Sequence, residues 1–382
     1  MIYLDNAATA FPKAPGVARA MADCIEHAAG AAGRSFGAFG AGPARIIFET
    51  RRRLSELLGW DDPSDIALTS GATYSLNLAL YGSLRPGDHV VTTSLEHNSV
   101  CRPLTHLRSQ GVEVTRVPCP GGRSPDPEAF RTALRPETRL IAMVHASNVS
   151  GAILPLREVA QLAKEANVPL LLDASQTAGA LPISLRDEKP HLLAFTGHKS
   201  LLGPPGTGGL LVAPSLDVAP LCRGGTGSRG FSDEQPTDRP DCFESGTPNL
   251  PGIAGLGAST QFLLDQGVAN LRAQETRLID GLLAELRAIP NVVTYGPERA
   301  EERTGLVSLN VGDLDPAEVG LRLERDYGII TRCGFHCAPW AHESLGTLHR
   351  GAVRLSISPF TTQEEIDQAA RALAEIAASC TR

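Results

Sequence analysis

The stretch Leu192-Leu193-Ala194-Phe195-Thr196-Gly197-His198-Lys199, followed by Leu202-Gly203-Pro204-Pro205-Gly206-Thr207-Gly208-Gly209, decides how the chain is read. A short, continuous apolar run ends in a lysine, and a glycine-rich turn follows it. Such a run reads as a strand buried on both faces. Comparable runs stand at 89–93, 140–145, 169–173 and 209–212, with helix-like stretches at 75–81, 100–109 and 156–166 between them. Buried strands interleaved with amphipathic helices predict an α/β fold with a doubly wound, mostly parallel sheet over about 65–212.

Beyond that region, 221–251 is rich in Gly, Ser, Pro and Asp and reads as loop. An apolar-periodic stretch then runs from 253 to 289 with a break expected near Gly267. The remainder alternates strands (306–311, 352–357) and helices (316–324, 363–377), as a smaller α+β domain would. The expected division is a large domain over 15–255 and a small one over 256–382 that also takes 1–14. There is no internal repeat.

Composition narrows the function classes. With 382 residues, 42% hydrophobic and 20% charged, the chain is that of a soluble globular protein and not a disordered one. A formal charge of −7 leaves no electrostatic footprint for nucleic acid or an anionic membrane. No apolar run approaches the ~18–20 residues that span a bilayer. Met1-Ile2-Tyr3-Leu4-Asp5 has no basic start, so no signal peptide and a cytoplasmic location are expected. The eight cysteines are then read as free thiols.

Of the 35 basic residues only four are lysines, Lys13, Lys164, Lys189 and Lys199. The first three read as solvent lysines. Lys199 differs, because ligands of α/β sheets bind at the carboxyl ends of strands. A lysine desolvated there becomes a nucleophile for a carbonyl, although a surface lysine at a strand end is the plain alternative. The neighbouring glycines resemble the start of a P-loop. Gly209 and Leu210, however, stand where that motif needs Lys and Ser or Thr, so an ATPase is excluded and the glycines are assigned to close backbone approach.

Asp173 closes the strand-like run 169–173. It is read either as a helix N-cap or as the anion opposite a cationic heterocycle. Paired with Lys199, it supplies what pyridoxal phosphate needs, an amine for the aldehyde and a carboxylate for the pyridine nitrogen. Thr69-Ser70-Gly71-Ala72-Thr73 opens a helix whose amides favour a phosphate, or is simply a cap. His97 is read as a stacking ring or a bonded loop histidine. Arg332-Cys333-Gly334-Phe335-His336-Cys337-Ala338 admits three readings: a zinc site with His342 and His349, inert buried thiols, or a thiolate nucleophile favoured by His336 and Arg332.

Taken together, these motifs resemble the class V aminotransferases, fold type I pyridoxal phosphate enzymes, and within them the cysteine desulfurase and selenocysteine lyase group. The likeness runs from Tyr3-Leu4-Asp5-Asn6-Ala7-Ala8-Thr9 to the C-terminal helix. Its most specific elements are Thr196-Gly197-His198-Lys199 and Arg332-x-Gly-x-His336-Cys337-Ala338. The resemblance implies that Lys199 carries the cofactor, Asp173 pairs its ring nitrogen and Gln176 its phenolic oxygen, and His97 stacks on the ring. Asn148 is implied near cofactor and substrate. Ala72, Thr73, Thr196 and His198 are implied to hold the phosphate, and Thr247 to reach that of a homodimer partner. Arg354 is implied to clamp the substrate carboxylate and Cys337 to accept sulfur from L-cysteine or a related amino acid, for transfer to an acceptor protein. The alternative on the same fold is a selenocysteine or cystine lyase, or an amino-acid epimerase. No metal site is expected. Tyr74 stands where relatives often have Glu, and the stretch 31–37 keeps Arg34 without the usual asparagine and histidine; both departures bear on substrate choice. Cys333 adds a second thiol.

Overall fold

The computed structural model of the chain describes residues 1–28, 30 and 38–379; the stretch 31–37 and Cys380 lie outside the described residues. The strands are β1 (Ile2–Tyr3), β2 (Ile66–Thr69), β3 (His89–Thr93), β4 (Glu113–Val117), β5 (Thr138–Val144), β6 (Leu170–Asp173), β7 (Leu192–Thr196), β8 (Gly208–Val212), β9 (Val292–Tyr295), β10 (Leu306–Val311), β11 (Ile329–Ile330), β12 (Arg332–Gly334) and β13 (Ala352–Ser356).

Seven of them form one sheet in the order β2-β8-β7-β6-β5-β3-β4. From β7 to β4 all neighbours run parallel, whereas β8 is antiparallel to both β7 and β2. The chain returns from β7 to β8 through the glycine-rich turn with no helix between, and a parallel return needs a crossover. The apolar run of β7 is divided between two cores. Leu193 and Phe195 pack on one face, Leu192 and Ala194 on the other, as the two-residue period of a strand requires. Strand β4 escapes sequence reading because it is an edge strand whose Glu113 and Arg116 face water. The helices Val17–His27 and Ala38–Leu58, also not foreseen, pack against Leu250–Gln266.

A second sheet, β12-β13-β10-β9, is antiparallel. Residues of the helices Val268–Ala288, Pro316–Tyr327 and Gln363–Ala378 close a separate core over it. Ile2 and Leu4 belong to that core and β1 pairs with β11, whereas Ala10 and Ala14 pack in the first. Leu256 and Leu263 also pack in the first core, and their helix ends at Gly267, which has a φ of 76°. We therefore place the division of the two bodies at Gly267, past the expected 255/256 boundary, and in the segment between Leu4 and Ala10.

Candidate active site

Strands β6 and β7 end side by side, with Asp173 in register with Ala194. No helix follows Asp173 until Leu185, so its carboxylate caps a turn and not a helix. Its Oδ1 accepts the Ser175 backbone N–H at 2.9 Å and the Ser175 hydroxyl at 2.5 Å. Burial raises the carboxyl's pKa, and the Ser175 bonds and the Lys199 charge work against that rise.

Lys199 follows β7. Desolvation brings its pKa down to about 8; Arg354 and Arg332 act in the same direction, Asp173 and Cys337 in the opposite one. The turn around it is folded on backbone bonds, Gly197 N–H to Thr207 O and Gly203 N–H to Gly197 O, each 2.8 Å. Its glycines are required by close approach. A Cβ at Gly197 would lie 2.1 Å from the Thr207 hydroxyl, and one at Gly208 would lie 2.5 Å from Phe195 O and 2.6 Å from Gly71 Cα. Gly208 thus lets the sheet sit directly beside Gly71, which precedes the helix Ala72–Ser83.

That helix presents its N-terminal amides to the same space. The Thr73 hydroxyl meets the Ser99 hydroxyl at 2.8 Å, and the Ser99 hydroxyl in turn meets His97 Nδ1 at 2.9 Å. His97 Nδ1 also accepts the Ser99 N–H at 3.1 Å, which assigns the proton of the neutral ring to Nε2. Burial, reinforced by the charges of Lys199 and Arg332, pushes the imidazole pKa down to about 3, so the ring stays neutral.

A cavity of about 220 Å³ opens at these strand ends. Its wall carries Ala72, Thr73, His97, Asn148, Asp173, Gln176, Thr196, His198 and Lys199, as well as Tyr74. Asn148 donates to His336 O at 2.7 Å, and its buried Oδ1 has no partner. Gln176 donates to Ala7 O at 3.1 Å.

The other three predicted residues stand outside that wall. Arg354 is fully buried, donating from Nη1 to Asn148 O at 3.0 Å and from Nη2 to Asp5 Oδ1 at 2.8 Å, while its Nε has no partner. Cys337 is exposed, receives a 3.6 Å contact on Sγ from Arg332 Nη2, and accepts the Asn98 N–H on its carbonyl at 2.8 Å. Thr247 is exposed and lines a neighbouring cavity that shares Ser70, Tyr74 and Gly206 with the first.

Three expectations change. His336 is buried, and desolvation together with Arg354 and His342 keeps it neutral, so it lends Cys337 no positive charge; Arg332, which contacts the thiol, does. Cys333 and Cys337 have different neighbours, and among the described residues the thiols and imidazoles of this loop form no group of three ligand atoms within reach of one ion. Arg332 points to the Cys337 thiol, whereas Cys333, the next residue along β12, lies against Gly320, whose Cβ would be 2.3 Å from its sulfur. Lys13 is not a solvent lysine: half-buried, its Nζ donates to the Thr9 hydroxyl at 3.2 Å and to His198 O at 3.1 Å.

A desolvated amine and a buried carboxylate share this cavity with helix amides and a neutral imidazole, an arrangement suited to an anionic, carbonyl-bearing ligand. Pyridoxal phosphate fits these residues: Lys199 for the aldehyde, Asp173 for the ring nitrogen, the Gly71–Thr73 amides for the phosphate, and the unpartnered Asn148 oxygen as a buried acceptor still open. The chain belongs to the class-V aminotransferase family, whose model matches residues 2–369. A probable cysteine desulfurase of Methanothermobacter thermautotrophicus is 31% identical over 383 residues, spanning 98% of this chain and 94% of the relative. A cysteine desulfurase of Cereibacter sphaeroides is 32% identical over 380 residues, spanning 96% and 93%. Among solved structures, the apo cysteine desulfurase of Thermococcus onnurineus superposes with a TM-score of 0.93 at 28% identity, covering 99% of this chain and 95% of that one. An Escherichia coli cysteine desulfurase in an S-sulfonic acid form gives 0.87 at 26% identity, covering 99% and 94%. The fold is that of the fold type I pyridoxal phosphate enzymes.

Proposed function

We propose that this chain is a pyridoxal phosphate-dependent cysteine desulfurase that converts L-cysteine to L-alanine and leaves a persulfide on Cys337. The observation that carries the reading is an exposed thiol, contacted by Arg332, on a loop that is hydrogen-bonded through His336 O to Asn148 in the wall of the Lys199 cavity. When bound, pyridoxal phosphate supplies an electron sink for carbanion chemistry at the substrate's Cα. Around it, Lys199 moves the Cα proton, and its depressed pKa suits an amine that must be free part of the time near neutral pH. Asp173 keeps a negative charge at the ring nitrogen. Arg354 meets the substrate carboxylate, for which its unpartnered Nε and planar fork are suited. The Cys337 thiolate attacks the substrate sulfur; an S–S bond forms, the Cβ–S bond breaks, and its electron pair stays with the carbon skeleton released as alanine.

The same reading takes the chain as a cytoplasmic homodimer in which Thr247 reaches the phosphate of the partner, and which passes sulfur to an acceptor protein. The exposure of Thr247 and of Cys337 supports both points. Among the described residues no helix is long and apolar enough to cross a membrane. The test is to incubate the cofactor-loaded protein with L-cysteine and analyse products and peptides. Alanine and a Cys337 peptide heavier by one sulfur are expected, and Cys337→Ala should lose the persulfide while keeping the bound cofactor's visible absorption. Pyruvate and ammonia, or alanine and sulfide from the variant at the wild-type rate, would overturn the assignment.

A further inference from the structure

Beneath the site lies an acid that the chemistry above does not use. Glu96, next to the ring residue His97, is fully buried. Its Oε1 accepts the Thr93 hydroxyl at 2.7 Å and the Val144 N–H at 3.0 Å, while Oε2 is buried with no partner. Thr93 is the last residue of β3 and Val144 the last of β5, and Val144 is in register with Asp173 on β6. One side chain therefore ties together the strand end that leads to His97 and the strand end beside Asp173.

The charges around it are unfavourable to a carboxylate. Among the described residues no basic side chain bonds to Glu96; Asp173 faces it from β6, and the buried thiols of Cys101 and Cys119 lie near. Cys101 donates to the Glu96 carbonyl at 3.3 Å, a contact with the backbone that leaves the side-chain charge unanswered. A buried, unpaired carboxylate next to a second anion costs far more than a neutral acid with two good acceptor bonds.

We propose that Glu96 is a positioning residue that carries its proton at neutral pH. As a neutral acid it clamps the ends of β3 and β5, and so leaves Asp173, not Glu96, to supply the negative charge under the cofactor. The placement of Asp173 at the cofactor rests on the proposed function; the neutral clamp does not. Desolvation moves the Glu96 carboxyl up to about 8, the direction the geometry requires.

The discriminating variant is Glu96→Gln, which keeps shape and both acceptor bonds but carries no charge. An infrared difference spectrum, wild type minus Glu96→Gln at neutral pH, should show the carbonyl stretch of a protonated carboxyl. A pair of carboxylate bands in its place overturns the proposal. Apoenzyme titrated with pyridoxal phosphate should bind within about twofold of wild type in Glu96→Gln and about tenfold more weakly in Glu96→Leu, where both acceptor bonds are lost. The pH midpoint of the bound cofactor's absorption should be the same in Glu96→Gln as in wild type. A fall in that midpoint would show that a negative charge had been removed from beside a cation, and would refute a neutral Glu96. Loss of desulfuration with the protonated-carboxyl band intact would strike the proposed function and leave this inference standing.

Discussion

Gly208→Ala tests whether the glycine turn exists to bring the phosphate helix against the sheet. The added Cβ would sit 2.5 Å from Phe195 O, 2.6 Å from Gly71 Cα and 3.0 Å from Gly71 C. Ordinary carbon contacts lie at about 3.5–4.0 Å, so the shortfall toward Gly71 is about 1 Å. All three obstructing atoms are backbone, and no rotamer change can relieve them. Strand β8 is held between β2 and β7, so the strain must either open the sheet or push Gly71 outward. Overpacking of this kind costs about 1–3 kcal/mol in stability. Moving the first amides of the helix Ala72–Ser83 by even a fraction of 1 Å weakens phosphate binding, and a displacement of about 1 Å is enough to cost about a hundredfold in rate. The assay pairs a thermal melt of the apoenzyme with a titration by pyridoxal phosphate, using Gly230→Ala as the control because its Cβ would meet no atom within 4 Å. A lower melting temperature and a cofactor affinity weaker by about tenfold or more are expected for Gly208→Ala alone. A Gly208→Ala protein that melts and binds like Gly230→Ala would refute the argument.

Other outcomes follow from the same geometry. Arg354→Lys should raise KM for L-cysteine by about tenfold or more, because a single ammonium cannot hold Asn148 O and Asp5 while presenting a fork to a carboxylate; steady-state kinetics over a cysteine series decide it. The rate at which the apoenzyme's Lys199 is trapped by a simple aldehyde and borohydride should rise with pH through a midpoint near 8, since only the free amine reacts and burial lowers its pKa from 10.5. A midpoint near 10 would mean that Lys199 is solvated. Lys13→Met should lower cofactor affinity although Lys13 is absent from the cavity wall, because its donor to His198 O is lost from the peptide preceding Lys199; a titration of the apoenzyme with pyridoxal phosphate measures it.

Some of these residues were legible and others were not, for reasons that are physical. Lys199 and Asp173 announce themselves because an apolar run that ends in a charged residue has few explanations, and β6 and β7 are close to the predicted runs. The helices Val17–His27 and Ala38–Leu58 left no such trace, and the second contains Pro43. Lys13 and Asp5 stayed hidden because their partners are remote in sequence: His198 O for one, Arg354 for the other. Glu96 was overlooked because an acid between Leu95 and His97 looks like a loop charge until Val144 N–H is seen to point at it. Cys333 is the opposite case. The alternation of β12 alone separates it from Arg332, and the strand period was the signal available to find it.

The two bodies meet at the chemistry, and hydrogen bonds to backbone carbonyls join them there. Lys199, Asp173 and His97 lie in the segment built on the large sheet, whereas Cys337 follows β12 and Arg354 lies within β13. Across the junction, the Asn98 N–H binds Cys337 O, Asn148 Nδ2 binds His336 O, and Arg354 binds Asn148 O. The first two of these bonds fix the loop through its own carbonyls, and the Cys337 side chain takes no part in them. His336 and Cys337 also hold positive φ values of 49° and 57°, a conformation that those bonds help to sustain. Replacing the thiol should therefore leave the loop where it is: Cys337→Ala should melt within about 0.5 kcal/mol of wild type and keep its affinity for the cofactor, while persulfide formation is lost. Removing the anchor should do the reverse. In Asn148→Ala the His336 carbonyl loses its donor, and a buried acceptor left unsatisfied costs about 1–3 kcal/mol. Thermal melts of the two apoenzymes, compared with their persulfide yields, separate the thiol's chemistry from the loop's placement. Equal destabilisation in both would mean that the thiol itself holds the loop.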